Sequence, residues 1–124
     1  MSLYFTDEHQ WARIAENGLT ATIGISQHAQ DALGDIVFVD LPAIGKTFAQ
    51  MDVGAIVESV KTAADVFMPL GGEVIEVNEA LRADPALANT NPMDKGWFMK
   101  IKLNHGATAS DLAKLIPENA YHPG

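Results

Sequence analysis

Cysteine is absent from the sequence. The chain therefore contains no disulfide framework, no thiolate metal site and no cysteine nucleophile, and any sulfur chemistry has to arrive on a cofactor. The histidines are scattered without the spacing of metal ligands, so we expect no metal site; they are His9, His28, His105 and His122. His9, two residues before Trp11, could border a cavity, although packing is the more economical account.

Basic residues are scarce. Eight lysines and arginines stand against 16 aspartates and glutamates, which gives a formal net charge of −8. Nucleic acids favour clustered lysine and arginine, so this balance argues against a nucleic-acid partner. An acidic protein is instead attracted to a basic surface on another protein.

Long apolar runs are also missing. No stretch is long enough to span a bilayer, and the early acids Asp7 and Glu8 do not fit a secretory signal or an arginine-rich leader. We therefore expect a cytoplasmic protein with no membrane partner. Gly71 and Gly72 open a strand and not a βαβ unit, and no serine lies in a glycine-flanked elbow. The sequence thus predicts no catalytic residues.

What the sequence does contain is a globular composition. Hydrophobic residues make up 48% of the chain and charged residues 19%, which is typical of a folded protein. A length of 124 residues suits a single domain covering 1–124.

Short β-prone segments alternate with turn residues. Asn17-Gly18, between runs at 11–16 and 19–25, is the clearest hairpin signal. Ser26 is predicted to cap a helix over 27–33 that ends at Gly34. Further predicted elements are strands at 35–41 and 97–103, helical turns at 79–82 and 85–88, and a helix over 111–116 followed by a less ordered tail. The pattern predicts a mostly β fold with short peripheral helices and a C-terminal helix.

One lysine occupies a distinctive position. Strand-like runs at 54–60 and 64–68 flank Lys61-Thr62-Ala63, which places Lys61 at the tip of a hairpin. An ordinary lysine is a cation and a poor nucleophile, and this segment offers neither the burial nor the second cation that would activate it. Acylation is the better use, because an amide removes the charge and fixes a long arm to a stiff base. The alternative is an ordinary solvated lysine, which spacing alone favours.

The segment around this lysine resembles a known family. Glu58-Ser59-Val60-Lys61-Thr62, followed by Asp65 and by Pro69-Leu70-Gly71-Gly72-Glu73-Val74, is similar to the lipoylation segment of the glycine cleavage system H proteins. Other blocks resemble the same family, in family order, from about residue 4 to residue 103. They are Phe5 to Trp11, Ala21 to Ser26 with Ala29-Gln30, Leu33 to Pro42, Asn89 to Pro92, and Gly96 to Lys102.

The resemblance implies a lipoyl-domain-like barrel-sandwich hybrid and a non-catalytic carrier with lipoate in amide linkage at Lys61. It also implies that the residues around the lysine serve recognition by the lipoylating enzyme or border a cleft for the loaded arm. These residues are Glu58, Ser59, Val60, Thr62 and Asp65.

The resemblance further implies a set of partners. A pyridoxal-phosphate glycine decarboxylase loads an aminomethyl group onto the arm, a tetrahydrofolate-dependent aminomethyltransferase removes it, and a flavin-dependent dihydrolipoamide dehydrogenase reoxidises the dithiol. A lipoate ligase or a lipoyl/octanoyl transferase attaches the arm. A carrier that visits several enzymes is expected to bind each weakly, and we expect a monomer.

Other interpretations remain open. An H-like relay that passes lipoate to other lipoate-dependent complexes is the nearest alternative. An enzyme or small-molecule-binding module built around Trp11 and Trp97 is an alternative from another class. Biotin carriage is less favoured, because Val60 and Thr62 flank Lys61 where biotin carriers have methionines.

The chain also departs from the family pattern at Gln10, Ala32, Met51 and Met68. Gln10 replaces a common acid, and Ala32 stands near a position that is often polar or histidine. The departures leave Lys61 untouched but leave open how closely a cleft shelters the loaded arm.

Overall fold

A computed structural model describes residues 2–123. Ten short strands dominate it. In chain order the elements are β1 (Ser2–Phe5), β2 (Gln10–Ile14), β3 (Thr20–Ile25), α1 (Gln27–Leu33), β4 (Ile36–Asp40), β5 (Thr47–Phe48), β6 (Val53–Ser59), β7 (Ala63–Phe67), β8 (Gly72–Val77), α2 (Glu79–Ala83), α3 (Leu87–Thr90), β9 (Met99–Leu103), α4 (Ala109–Leu112) and β10 (Ile116–Pro117), followed by a 3-10 turn at Glu118–Ala120. None of the helices within residues 2–123 has the length and apolar character needed to cross a bilayer.

The strands form two antiparallel sheets. The larger has seven strands in the order β10-β1-β2-β3-β9-β8-β5, and the smaller has three in the order β4-β6-β7. Alternate residues of both sheets point into a shared apolar core. Its members include Ile23, Val39, Val57, Val66, Val74 and Ile101, each 2% exposed or less.

The hairpin of β2 and β3 confirms the prediction from Asn17-Gly18. Gly18 takes a φ of 71°, and the Asn17 side chain accepts a hydrogen bond of 2.9 Å from the Leu19 N–H. Left-handed backbone of this kind favours glycine. The turn therefore follows from the chemistry of two adjacent residues.

Trp11 anchors this hairpin to the rest of the chain. Its indole is fully buried and stacks over Gly24, where an added Cβ would lie 2.5 Å from the ring. The indole N–H donates to the carbonyl oxygens of Ile25 at 2.9 Å and Pro92 at 3.0 Å. Only a residue without a side chain fits under the ring, so Trp11 and Gly24 are packed as a pair.

Helix α1 begins and ends as predicted. The Ser26 hydroxyl accepts from the Ala29 N–H at 3.1 Å, and Gly34, with a φ of 78°, donates its N–H to the carbonyl of Gln30. This helix matters for the site because it lies beside the lysine hairpin.

The C-terminal part differs from the sequence-based prediction in two ways. The helix predicted at 111–116 is a shorter one at Ala109–Leu112, capped by Thr108. The tail predicted to be less ordered, 117–124, is instead tied down as far as the structure describes it, since Pro117 pairs with Tyr4 and the Tyr121 ring stacks on Phe5 at 3.7 Å between centroids. That prediction was wrong because the partner strand, β1, gives no recognisable signal in sequence. Gly124 lies outside the described residues.

Candidate functional site

Lys61 lies in the turn between β6 and β7, and its side chain is exposed. The turn comprises 60–62, one residue earlier than predicted. Ser59 holds it closed: its N–H donates to the Thr62 carbonyl at 2.8 Å, and its hydroxyl oxygen accepts from the N–H groups of Lys61 and Thr62, both at 3.2 Å. Val60 is 67% exposed and adds an apolar surface beside the lysine.

The turn also touches the segment between α1 and β4. The Val60 N–H donates to the Asp35 carbonyl at 3.0 Å. The Lys61 side chain lies over Gly34, where an added Cβ would be 3.2 Å from Lys61 Cε. The base of the lysine is therefore supported by two sheet strands and by the end of α1.

The outer face of the smaller sheet, β4-β6-β7, mixes carboxylates with apolar side chains. Glu58 pairs across the strands with Phe38, which is 50% exposed. Ile56, 38% exposed, lies between Asp40 on β4 and Asp65 on β7. None of the three strands contains a lysine or arginine. This face suits a partner with basic and apolar groups.

A cleft of about 180 Å³ opens between α1 and β7. Ala29 and Ala32 of α1 form one wall, and Ala64 and Asp65 of β7 form the other. The small side chains leave room for an apolar guest, and Asp65, which is exposed, is among the lining residues. Of the five residues predicted to flank the lysine functionally, only Asp65 borders this cleft.

Two histidines and a tyrosine meet at the far end of the cleft. The rings of His9 and His28 are 4.3 Å apart between centroids, and His9 Nδ1 is 2.7 Å from the Tyr121 hydroxyl. That hydroxyl also lies 3.0 Å from the Ser26 hydroxyl. Sequence reasoning missed this group, because its members come from the N-terminus, α1 and the C-terminal tail.

Burial is the main cause that lowers the pKa of His9 below its usual value, followed by the charge of His28, while the carboxylates of Glu8 and Asp7 act in the opposite direction. His9 is also held at a φ of 72°. Hydrogen bonds at both of its backbone groups maintain this unusual conformation, since its N–H donates to Thr6 and its carbonyl accepts from Ser26.

Gln10 lines the cleft without adding a charge. It is buried, its amide oxygen accepts from the Thr6 hydroxyl at 2.5 Å, and its amide nitrogen donates to the Glu8 carbonyl at 3.1 Å. The acidic residues that line the cleft are therefore Glu8 and Asp65, both exposed.

Helix α1 connects the surroundings of Lys61 with the two histidines. The lysine lies beside Gly34, at the C-terminal end of α1, and His28 lies six residues earlier on the same helix. A helix rises about 1.5 Å per residue, so about 9 Å of helix axis separates Gly34 from His28.

Other features of the surface fit a site less well. A larger groove of about 310 Å³ borders Asp40, Lys46 and Phe48, and it lies toward the start of β6, away from the lysine turn. Across residues 2–123, no three histidines or acids converge as a metal site would require. Trp11 is fully buried, so a ligand site built on its indole has no access.

Comparison with known proteins gives one consistent result. The glycine cleavage H-protein family model matches residues 3–123. The chain is 50% identical over 119 residues to glycine cleavage system H protein 2 of Pseudomonas syringae pv. tomato, covering 96% of this chain and 90% of that protein. It is also 50% identical over 117 residues to the glycine cleavage system H protein of Parvibaculum lavamentivorans, covering 94% and 90%.

A solved structure extends the similarity to the fold. The crystal structure of a glycine cleavage system H protein from Mycobacterium marinum matches with a TM-score of 0.82 and 32% identity, covering 94% of this chain and 91% of that one. The predicted lipoyl-domain-like barrel-sandwich architecture is therefore confirmed.

Proposed function

The chain belongs to the glycine cleavage H-protein family, and we propose that Lys61 is the residue to which its lipoyl arm is attached. Members of this family are non-catalytic lipoyl carriers of the glycine cleavage system, so the chain is a carrier and not an enzyme. The observation that carries the proposal is the exposed Lys61 side chain in a short turn between two paired strands.

Other lysines are less suited to this role. Lys100 lies 3.7 Å from the Glu76 carboxylate and over the Trp97 ring, within a central strand. Lys46 lies over the Phe48 ring. Lys61, in contrast, projects from a turn whose backbone is fixed by Ser59, and its side chain lies over Gly34, the residue that follows Leu33 of the cleft wall.

The residues around the lysine fit a lipoyl group. When bound, lipoate supplies a dithiolane whose sulfur carries the one-carbon unit. The chain has no cysteine and therefore has no thiol of its own for this purpose. Lys61 would hold the group by an amide bond, which removes the positive charge of the lysine. The alanines of α1 and β7 would contact its apolar chain, and Asp65 would accept a hydrogen bond from an amine at its end.

We further propose that the carrier is a single domain, 1–124, that acts as a monomer. It would receive the aminomethyl group from glycine decarboxylase, deliver it to the aminomethyltransferase and present the reduced arm to dihydrolipoamide dehydrogenase. The carboxylates of Asp40, Glu58 and Asp65 support weak docking to basic surfaces, because exposed charges exchange partners readily.

Intact-mass analysis tests the attachment site. Purified chain is incubated with lipoate, ATP and a lipoate ligase, beside Lys61→Arg and a control, Lys95→Arg, which changes another exposed lysine in a turn. We expect the wild type and Lys95→Arg to gain one lipoyl group and Lys61→Arg to gain none while remaining folded. A lipoyl group on Lys61→Arg would refute the assignment.

A reconstituted glycine exchange assay then separates the two kinds of lipoyl carrier. A carrier of glycine cleavage supports exchange of the glycine carboxyl carbon with bicarbonate in the presence of glycine decarboxylase. A lipoyl relay that serves other complexes becomes lipoylated but gives no exchange.

A further inference from the structure

The side chain of Asn89, on α3, binds the segment that follows α1. Its amide nitrogen donates to the Gly34 carbonyl at 2.9 Å and to the Gln30 side-chain oxygen at 3.0 Å. Its amide oxygen accepts from the Ile36 N–H at 2.9 Å. Both N–H groups and the oxygen of the amide are thus in use, and all three bonds are partly buried.

Residues 34–36 are the support on which the lysine turn rests, and we refer to them as the platform. Gly34 lies under the Lys61 side chain, and the Asp35 carbonyl accepts the Val60 N–H at 3.0 Å. The platform begins with a glycine at the end of a helix, and glycine can adopt more backbone conformations than any other residue. Asn89 is bound on both sides of Asp35, at Gly34 and at Ile36, and so restricts this freedom.

We propose that Asn89 is a positioning residue for the modification of Lys61: by fixing the platform, it holds the lysine turn in one orientation for the enzyme that acylates the lysine. The proposal rests on Lys61 being the attachment site. The turn itself is closed by exposed hydrogen bonds to Ser59, which water competes for. The partly buried amide of Asn89 therefore supplies order that the turn cannot supply alone, and a pre-ordered turn binds an enzyme at a lower entropic cost.

Asn78 offers a matched control. Like Asn89, it donates two hydrogen bonds from its amide nitrogen, to the carbonyls of Lys95 and Trp97, and accepts one, from the Ala80 N–H. It caps α2 and makes no hydrogen bond to the platform. Asn78→Ala thus removes an equivalent network without touching the lysine turn.

The experiment compares Asn89→Ala with Asn78→Ala in two measurements. Steady-state kinetics of a lipoate ligase with the unmodified protein as the varied substrate give KM and kcat. Native-state hydrogen exchange of the unmodified protein gives the protection of the Val60 amide relative to that of Ile101 in β9. For Asn89→Ala we expect the relative protection of the Val60 amide to fall about tenfold and the KM of the ligase to rise about tenfold. The kcat should change little. For Asn78→Ala we expect a lower overall stability with KM and relative Val60 protection unchanged.

The outcomes separate the two proposals. The positioning role would be overturned if Asn89→Ala kept the KM and the Val60 protection of the wild type. It would also be overturned if Asn89→Ala and Asn78→Ala changed KM and Val60 protection equally. Failure of the wild type to gain a lipoyl group at Lys61 would instead refute the attachment site. If Asn89→Ala does not fold, Asn89→Asp is used in its place. Aspartate keeps the acceptor for the Ile36 N–H and loses both N–H donors, and the same changes in KM and Val60 protection are expected.

Discussion

The side chain of Lys61 rests on the backbone of Gly34, so that a methyl group built on the glycine would lie 3.2 Å from Lys61 Cε and 3.7 Å from both Cδ and Nζ. The same glycine ends α1 at a φ of 78°. It therefore serves the helix, which needs left-handed backbone there, and the lysine, which needs an unobstructed surface.

Gly34→Ala tests the second of these roles. Gly34 combines its positive φ with a ψ of −159°, a conformation that residues other than glycine rarely adopt. The substitution therefore strains the backbone by about 1–3 kcal/mol and also displaces the lysine side chain. Gly18→Ala is the control, because its φ of 71° is similar but an added Cβ meets nothing within 4 Å. We expect both variants to lose stability in thermal unfolding, Gly34→Ala the more, and only Gly34→Ala to be lipoylated more slowly. Equal rates of lipoylation would show that the glycine matters to the helix alone.

The parts of the fold that could be predicted depend on neighbouring residues. Asn17-Gly18 fixes a hairpin, and Ser26 and Gly34 fix both ends of α1, because caps and left-handed turns are chemistry within a few positions. The same holds for Lys61, whose place in a turn follows from the strands on either side.

The parts that could not be predicted join distant positions. Phe5 pairs with Ile116, and His9 meets Tyr121, 112 residues later. Asn89 reaches Ile36 across 53 positions. No local pattern encodes such pairings, since they arise only when the two sheets have closed around the core. The position of Lys61 in a turn could therefore be predicted from neighbouring residues, whereas the contacts between that turn and the platform could not.

His9 gives the stability of the protein a distinct pH dependence. Burial, and secondarily the charge of His28, lowers the pKa of His9 in the folded state, so the unfolded chain binds the proton more tightly. The contribution of His9 to stability is thus fully present above the usual histidine pKa of about 6.5 and is lost as the pH falls below it.

His9→Asn tests this dependence. Asparagine tolerates a positive φ and does not titrate in this range. The variant lacks the titrating group whose pKa is lowered on folding. We therefore expect its free energy of unfolding to fall less steeply than that of the wild type between pH 7 and pH 5, as measured by urea denaturation. Parallel curves would show that His9 has the same pKa in the folded and unfolded states.

Trp11 is expected to contribute to stability and not to carrier function. Trp11→Phe removes the indole N–H and leaves the buried carbonyls of Ile25 and Pro92 without their donor. A loss of about 1–3 kcal/mol in the free energy of unfolding is expected. Trp97→Phe, at a half-buried ring, should cost less. Mass analysis should find Lys61 lipoylated in both variants, and loss of lipoylation in folded Trp11→Phe would contradict this separation.

Glu58 and Asp65 both flank Lys61 on the outer face of the smaller sheet, but only one of them reaches the cleft. Asp65 is among the residues that line the cleft, whereas Glu58, beside Phe38, is not. Asp65→Asn removes the charge that would attract the amine of the loaded arm.

We expect Asp65→Asn to shorten the lifetime of the aminomethyl group on the lipoylated protein by about 2- to 5-fold, since an exposed carboxylate makes only a modest contribution. Glu58→Gln should leave that lifetime unchanged and lower the kcat/KM of the lipoate ligase, with a weaker salt dependence than the wild type. The lifetime is measured by the release of formaldehyde. Docking to the ligase is measured by ligase kinetics at two salt concentrations. If Glu58→Gln shortened the lifetime as much as Asp65→Asn, the acidic residues would act through the overall charge of this face and not through their positions.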